Sequence, residues 1–249
     1  MNHRRQSMVK TKQTTEPVML RLASPVNSAL LSRAALAIGL VFSLFTAADA
    51  ATLSPESAQT GTYAYQVTRD GEVVGEQRND FERRGDELRV VTDVRINITL
   101  LGMNVYDFTQ RIEESWQNGL LMSLTSVAVD DGDTRNVRLV RDGDRLVGTY
   151  DGKQRDLPGH LVPSTLWNSA IVEHSSVLET TKGRERTFTV EQKGVEQVTL
   201  PTGTVSARHF VFTGNFKREA WYDESGVLIA AQMEAKDGSI IRQELLRAP

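Results

Sequence analysis

Histidines and carboxylates are the residues of this sequence that could catalyse a reaction, and few of them are spaced for it. His160, His174 and His209 lie in three separate segments, and the chain has no cysteine. Without a cysteine or a close histidine pair they do not form a transition-metal motif. Nucleophile elbows, zinc-binding pairs, phosphate loops and dinucleotide fingerprints do not occur in the sequence. We therefore predict no catalytic, cofactor-binding or metal-binding residues, and we expect a protein that is not an enzyme.

Two acidic clusters have simpler explanations than a reactive site. Residues 130–133 have the carboxylate density of a calcium loop but lack the spacing and terminal glutamate of an EF-hand, so a charged hairpin turn is favoured. Glu113 and Glu114 are adjacent in a predicted strand, where neighbouring side chains point to opposite faces and cannot act on one substrate. One hydrolase alternative stays open, with His209 and a nearby carboxylate as its candidates.

Apolar and aromatic residues are the stronger indication of a binding site. Residues 98–106 place a dense series of large apolar side chains around Gly102. In an isolated hairpin some of them would face water, so they must lie in a two-sided core, under a lid or along a ligand cavity. Ordinary core packing and cavity lining both stay open. The candidates for lining a site for a hydrophobic ligand are Leu101, Tyr106, Phe108, Trp116, Trp167 and Trp221.

The elements that must position these residues are short strands joined by tight turns. Asp-Gly or Asn-Gly pairs recur along the chain, and both tolerate the positive φ angles of type I′ hairpin turns. They are Asp70-Gly71, Asn118-Gly119, Asp131-Gly132, Asp142-Gly143, Asp151-Gly152 and Asp237-Gly238. The runs between them are rich in Val, Ile, Thr, Tyr and Phe and alternate apolar with polar residues, which is typical of half-buried strands.

One segment departs from the strand pattern. Residues 157–163 are typical of a loop, and residues 164–172 favour one or two helical turns that begin at Pro163 or Ser164. Repeated hairpins without interleaved helices indicate an antiparallel sheet. We predict a mainly β fold over residues 61–249: a single curved antiparallel meander or half-open barrel with this short helix packed on it.

The N-terminal region predicts export. Residues 34–45 form an apolar run that ends shortly before the small residues Ala48 and Ala50. With Arg21 and Arg33 preceding the run, this is the pattern of a secretory signal with cleavage after Ala50. The run is too short for a transmembrane helix, which needs about 20 apolar residues. We expect a periplasmic product that does not span the membrane once the signal is removed.

The domain boundaries follow from this signal. Residues 1–50 would be the signal peptide, residues 51–60 a flexible leader of small and polar residues, and residues 61–249 the β domain. Translation starts at Met1, Met8 or Met19, and only the last gives a signal of ordinary length. A longer leader would contain Arg4-Arg5, which resembles a twin-arginine signal but lacks the hydrophobic residues that usually follow it.

The charge balance excludes one class of partner. The chain has 29 basic and 32 acidic residues, of which the first 50 residues hold six and two, so 23 basic and 30 acidic residues remain after Ala50. A net negative charge favours solubility and argues against nucleic acid as a partner, because binding phosphate needs a basic face. Because no cysteine is present, an exported domain would depend on core burial alone.

Five stretches of the sequence, in order, resemble one bacterial family. They are residues 65–75 (YQVTRDGEVVG), 101–108 (LGMNVYDF), 114–120 (ESWQNGL), 163–168 (PSTLWN) and 221–228 (WYDESGVL). Together they resemble the bacterial domain-of-unknown-function family 6134, over nearly all of residues 61–247. The resemblance implies an exported, mostly antiparallel domain from a Gram-negative bacterium, with looser similarity to other exported β-rich families of unknown function. The family has no established activity, so the resemblance implies no functional residues.

Two functions remain to be distinguished. We expect a non-enzymatic periplasmic protein that binds or carries an apolar or lipid-like ligand between its curved sheet and the helix around Trp167. The alternative is a structural or assembly factor of the envelope, which would contact a protein partner through a sheet edge or its acidic surface.

Overall fold

The computed structural model describes residues 53–249, apart from the side chain of Leu100. The predicted signal peptide, residues 1–50, and its cleavage point after Ala50 lie outside the described residues. In the part that is described, no helix has both the length and the apolar character needed to cross a bilayer.

Strands account for most of the described chain, and a single 3-10 helix, Ser169–Glu173, is described with them. The strands are β1 (Gly61–Arg69), β2 (Glu72–Arg84), β3 (Glu87–Leu100), β4 (Met103–Gln117), β5 (Leu120–Asp130), β6 (Asp133–Asp142), β7 (Arg145–Tyr150), β8 (Lys153–Pro158), β9 (Val162–Pro163), β10 (Ser176–Glu179), β11 (Arg184–Leu200), β12 (Gly203–Gly214), β13 (Arg218–Tyr222), β14 (Leu228–Glu234) and β15 (Ile240–Arg247).

All the strands belong to one sheet built from two meanders. Strands β1 to β8 pair in sequence order, strands β9 to β15 do the same, and the pairing of β1 with β15 joins the two series. Every pairing is antiparallel except the short one between β9 and β10. The sheet is curved and open, because β8 and β9 do not close it into a barrel. The predicted mainly β fold with a curved antiparallel sheet is confirmed.

The predicted turn pairs all lie at connections between neighbouring strands. In four of them both residues have positive φ, with values of 46–51° for Asp70, Asn118, Asp131 and Asp151. The β3–β4 turn has the same backbone but uses Leu101-Gly102, with Leu101 at φ 51°. Leucine, unlike Asn or Asp, has no local hydrogen bond that offsets this conformation.

One face of the curved sheet carries the core. Along β4, Ile112, Glu114 and Trp116 alternate with partly or fully exposed residues, and strands β1 to β3 present buried residues toward the same side. We call this the concave face. Apolar residues of the segment between β8 and β11 pack against it, including Leu161, Trp167, Ile171 and Leu178. Burial of this apolar surface drives folding in a domain without disulfides.

The short helix begins later than the sequence predicts. Pro163 belongs to β9, and Asn168 caps the 3-10 helix, its Oδ1 accepting from the Ala170 amide at 3.1 Å. Leu166 adopts φ 61° just before it. The prediction of a start at Pro163 or Ser164 was wrong, because the preceding residues are held in an irregular conformation by tertiary hydrogen bonds described below.

The segment predicted as a flexible leader is packed against the domain where it is described. Leu53 and Ala58 are buried in the core. The Leu53 amide donates to Ser169 Oγ at 2.7 Å, and the Ser169 amide donates back to the Leu53 carbonyl at 3.0 Å. Burial of these two side chains and hydrogen bonds to Ser169 and Arg83 hold the segment, and its small, polar composition does not predict these contacts.

The β3–β4 turn gives a test of backbone strain. We expect Leu101→Asn to raise the free energy of unfolding by about 1 kcal/mol, because Asn tolerates positive φ better and the exposed leucine loses no packing. Asn118→Leu, in an equivalent turn, should lower it by a similar amount. Chemical denaturation of both variants measures the two changes. Equal stability of Leu101→Asn and the parent protein would show that the turn is not strained.

Candidate functional site

A buried carboxylate lies at the centre of the filled part of the concave face. Glu114 is 1% exposed. Its Oε2 accepts hydrogen bonds from Trp116 Nε1 at 2.8 Å and Trp167 Nε1 at 3.0 Å, and its Oε1 accepts from Thr165 Oγ1 at 3.0 Å. Trp116 lies two residues along β4 and therefore on the same face. The other two donors come from the segment between β8 and β11 that packs against this face, which we call the covering segment. Glu114 thus links the sheet to the covering segment through hydrogen bonds.

Aromatic packing surrounds this carboxylate. The Trp167 ring makes edge contacts with Trp116 and Phe81, with centroids 5.7 and 5.2 Å apart. The Tyr222 hydroxyl donates to the Leu166 carbonyl at 3.0 Å, which fixes the residue before Trp167. Two of the predicted lining residues, Trp116 and Trp167, therefore contact each other in the core.

Burial raises the pKa of Glu114 to about 7, and the three hydrogen bonds oppose that rise. Both protonation states suit the geometry. A proton on Oε1 would be donated to the Thr165 hydroxyl, which can reverse its role, while Oε2 keeps both indole donors. Glu113, its neighbour, points to the other face and bonds Arg89 at 2.8 Å and Arg111 at 3.1 Å. The prediction that the two glutamates cannot act together is confirmed.

The other predicted lining residues lie in three different places. Tyr106 and Phe108 are on the same face of β4 as Trp116, nearer the β3–β4 turn, and are half-buried. Leu101 lies in that turn and is 90% exposed. Trp221 belongs to a separate buried cluster with residues of β11, β12 and β14. The structure therefore brings together two pairs, Trp116 with Trp167 and Tyr106 with Phe108, and leaves the other two apart.

Gln110 marks the boundary between the filled part of the concave face and a more open part. Its Nε2 donates to Ser126 Oγ at 2.9 Å and to Thr180 Oγ1 at 3.3 Å, and Thr180 belongs to the turn between β10 and β11. Beyond Gln110, the residues of β3 and β4 on this face become half-buried. They are Val94, Ile96, Ile98, Tyr106 and Phe108. We call this the open half of the concave face.

Two buried polar groups lie on the concave face without a protein partner. Asn79 Nδ2 and Thr92 Oγ1 have no hydrogen-bond partner within residues 53–249. The two residues are 0% and 1% exposed and are directly paired across β2 and β3. Buried polar atoms normally find a partner, since leaving one unpaired costs about 1–3 kcal/mol. A water molecule or a ligand oxygen would satisfy them.

His209 is held by carboxylates on both sides of its ring. Its Nδ1 lies 2.9 Å from Glu196 Oε1, and its Nε2 lies 2.8 Å from Glu219 Oε2. The ring stacks on Trp221 at 4.3 Å, and Trp221 Nε1 donates to Glu196 Oε2 at 2.9 Å. Hydrogen bonds from Trp221 and His209 lower the pKa of Glu196. Neither ring nitrogen is directed at a hydroxyl nucleophile, so this geometry does not support the hydrolase alternative.

The environment of Glu114 was not anticipated from the sequence. A usable signal exists in residues 114–116, because a glutamate and a tryptophan two residues apart in a strand share one face. The partners Thr165 and Trp167 lie about fifty residues further on, and no pattern in the sequence links them to Glu114. In residues 53–249, no cluster of His, Asp or Glu is arranged to hold a metal ion.

Fold and site together define a mainly β protein with one open, curved sheet whose concave face is filled at one end. The chain belongs to the family of the domain of unknown function DUF6134, whose model matches residues 65–246. The suspected family is thereby confirmed.

The chain is similar to the crystal structure of a beta-barrel-like protein of the domain of unknown function DUF1849 from Brucella abortus, with 10% sequence identity and a TM-score of 0.49. The similarity covers 75% of this chain and 94% of that chain. No curated protein matches the chain.

The raised pKa of Glu114 gives a pH-dependent prediction. In the unfolded chain this group titrates near 4.5, so below that pH both states hold the proton and burial costs nothing extra. As the pH rises from about 4.5 to about 7, the unfolded chain has lost the proton while the folded protein still holds it, and stability falls by about 3 kcal/mol. Glu114→Gln imitates the protonated form and should lack this loss.

Urea unfolding of the parent protein and Glu114→Gln between pH 4 and pH 9 measures the difference. The two free energies should be similar at the acid end, and the variant should be more stable at the alkaline end. If the two free energies changed in parallel across the whole pH range, the pKa of Glu114 would be the same in the folded and unfolded protein.

Proposed function

We propose that the protein is exported to the periplasm and there binds an apolar or lipid-like ligand, without catalysing a reaction. The observation that supports this most strongly is the contrast between the two parts of the concave face. One part is filled by the segment around Trp167, whereas the other leaves Tyr106 and Phe108 half-buried beyond Gln110. Apolar side chains that are only partly covered by their own protein favour an apolar ligand.

The floor of the concave face adds a second requirement. Asn79 Nδ2 can only donate, and Thr92 Oγ1 can donate or accept. Both lack a protein partner, as described above. They would accommodate an uncharged oxygen, such as the ester or hydroxyl oxygen of an amphipathic lipid. Thr92 pairs with Ile112, one step past the Val94–Gln110 pair on the filled side of the boundary. We therefore propose a ligand with its apolar part on Tyr106 and Phe108 and a polar group that reaches past Gln110 toward Thr92.

The sequence supports the location in this proposal. An apolar run over residues 34–45 followed by Ala48 and Ala50 is the pattern of a signal removed after Ala50. Mass spectrometry of the protein recovered from the periplasm of a producing cell should give an N-terminus at Ala51. Recovery of the uncleaved chain from the cytoplasm alone would contradict export.

Lipid extraction tests the ligand. Protein purified from cells should carry lipid that mass spectrometry identifies in the organic extract, and it should bind a fluorescent phospholipid analogue. Phe108→Ser should weaken that binding about tenfold, since it removes the contact of a large apolar side chain. Val140→Ser, at a half-exposed position of β6, is the matched control and should bind normally. Equal affinity of the two variants for the analogue would show that the open half of the concave face does not bind the lipid.

The unpaired hydroxyl gives an independent test. Thr92→Val keeps the side-chain shape and removes a buried hydroxyl without a partner, so it should raise the free energy of unfolding by about 1 kcal/mol in lipid-free protein. It should also weaken binding of the same phospholipid analogue severalfold. A variant that is more stable and binds as well as the parent would show that Thr92 meets water rather than ligand.

The envelope assembly factor remains a second proposal, supported by the open sheet. Strand β8 pairs with β7 on one side and with no described strand on the other. Such an edge can accept a strand from a partner. Cross-linking in intact cells, followed by mass spectrometry, distinguishes the two functions. A single protein neighbour cross-linked through β8, with no extracted lipid, would favour the assembly factor.

A further inference from the structure

Four arginines are grouped around the turn between β10 and β11. Arg184 and Arg186 follow this turn, and their Nε atoms lie 2.7 and 3.0 Å from Glu179 Oε2. Arg155, on β8, donates from Nε to a backbone carbonyl of the turn at 2.9 Å. Arg218, at the start of β13, is attracted electrostatically by the same glutamate. We call these four residues the arginine cluster.

The arginine cluster is not balanced by acidic residues. In residues 53–249, Glu179 is the one carboxylate that lies within 4.0 Å of any of its guanidinium groups. Four cations and one anion leave three positive charges uncompensated. The whole chain has the opposite balance, with 23 basic and 30 acidic residues after Ala50. A local excess of positive charge in an acidic protein favours the binding of an anion at that place.

Arg218 has the fewest partners in the arginine cluster. Within the described chain its guanidinium makes one hydrogen bond, from Nη1 to the Lys217 carbonyl at 2.8 Å, although the group has five N–H donors. Its Cζ lies 5.2 Å from the ring centroid of Phe216, which belongs to the main core. Burial lowers the pKa of Arg218 to about 10, against the attraction of Glu179, so the group stays charged at neutral pH.

The arginine cluster lies beside the open half of the concave face. The turn that it surrounds contains Thr180, which accepts from Gln110 at the boundary of the filled part. Arg218 pairs directly with Phe212, a core residue, so its side chain leaves the sheet on the concave side. The pairings of β13, β14, β15, β1, β2 and β3 place the start of β13 at the same end of the sheet as Ile96.

We propose that the arginine cluster binds the anionic group, a phosphate or a carboxylate, of an amphipathic ligand. The planar fork of a guanidinium matches the oxygens of both groups and can stack on an aromatic ring, as Arg218 does on Phe216. The inference rests on the proposed function and deepens it, because the apolar part of the same molecule would lie on Tyr106 and Phe108. An uncharged lipid would leave the positive charge of the cluster without a partner.

Two fluorescent analogues with identical acyl chains test this inference. One is a phosphatidic acid, and the other is the diacylglycerol that lacks its phosphate. Lipid-free parent protein should bind the phosphatidic acid analogue about tenfold more tightly, since one hydrogen bond to a charged group contributes about that factor. Equal affinity for the two analogues would overturn the proposal.

Arg218→Met removes the charge and keeps an apolar side chain of similar length on Phe216. Its affinity for the phosphatidic acid analogue should be about tenfold lower, with the diacylglycerol analogue bound as by the parent. Arg218→Lys should lose less, because lysine keeps the charge without the planar fork. Chemical denaturation checks the fold of Arg218→Met, and Arg184→Met, at a more exposed position of the cluster, should show the same selective loss.

Arg84→Met is the matched control, because the Arg84 side chain is 82% exposed at the end of β2, outside the arginine cluster. It should bind both analogues like the parent. The same loss of phosphatidic acid binding in Arg84→Met and Arg218→Met would show that only the total charge matters, which contradicts a site at the cluster.

Inorganic phosphate distinguishes a lipid from a free anion. It should displace the phosphatidic acid analogue only at far higher concentration than unlabelled phosphatidic acid does. If it competes equally well, a free anion is the ligand, and the amphipathic part of the proposal is wrong.

Failure of this inference is distinguishable from failure of the proposed function. If the two analogues bind equally well and Phe108→Ser weakens both, the apolar site stands and the anionic group is wrong. If neither analogue binds, the proposed function fails, and the assignment of an amphipathic ligand to the arginine cluster fails with it.

Discussion

One buried carboxylate determines how the two layers of this protein fit together. Glu114 accepts hydrogen bonds from an indole on its own strand and from an indole and a hydroxyl of the covering segment. An anionic group in an apolar core is costly unless its oxygens are paired. The covering segment must therefore present Thr165 and Trp167 at fixed positions, which explains the irregular backbone before the 3-10 helix. These hydrogen bonds fix the position of the covering segment, while its apolar side chains supply the burial that holds it on the sheet.

The architecture could be predicted from local signals because it is built from local connections. Asp-Gly and Asn-Gly pairs mark hairpins whatever the distant residues do, and alternation then assigns one face of each strand to the core. Strand β4 shows both effects, with Trp116 inside and the following Asn118-Gly119 at its end. The start of the helix and the packing of Leu53 depend on contacts with residues more than fifty positions away, so local patterns did not contain them.

The candidate site was less accessible from the sequence. Periodicity placed Tyr106, Phe108 and Trp116 on one face of β4, which the structure confirms. It could not show that a distant turn would cover that face only as far as Gln110, since this boundary depends on Thr180. Trp221 was predicted to line the same site only because it is aromatic, but in the structure its partners are His209 and Glu196. A residue type indicates what a side chain can contact, and only the tertiary fold decides what it does contact.

The pairing of the first strand with the last has a consequence for biogenesis. Tyr65 pairs with Leu245, so the edge of β1 stays without its neighbour until the 180 residues after Tyr65 have been synthesised. Contacts between residues so far apart in sequence form late, because the intervening chain must first be ordered. The two meanders can each form by contacts between neighbouring strands, but they join only when β15 pairs with β1. The sheet therefore stays open between β1 and β15 until β15 has been synthesised, although every other strand of the first meander can already have its neighbour.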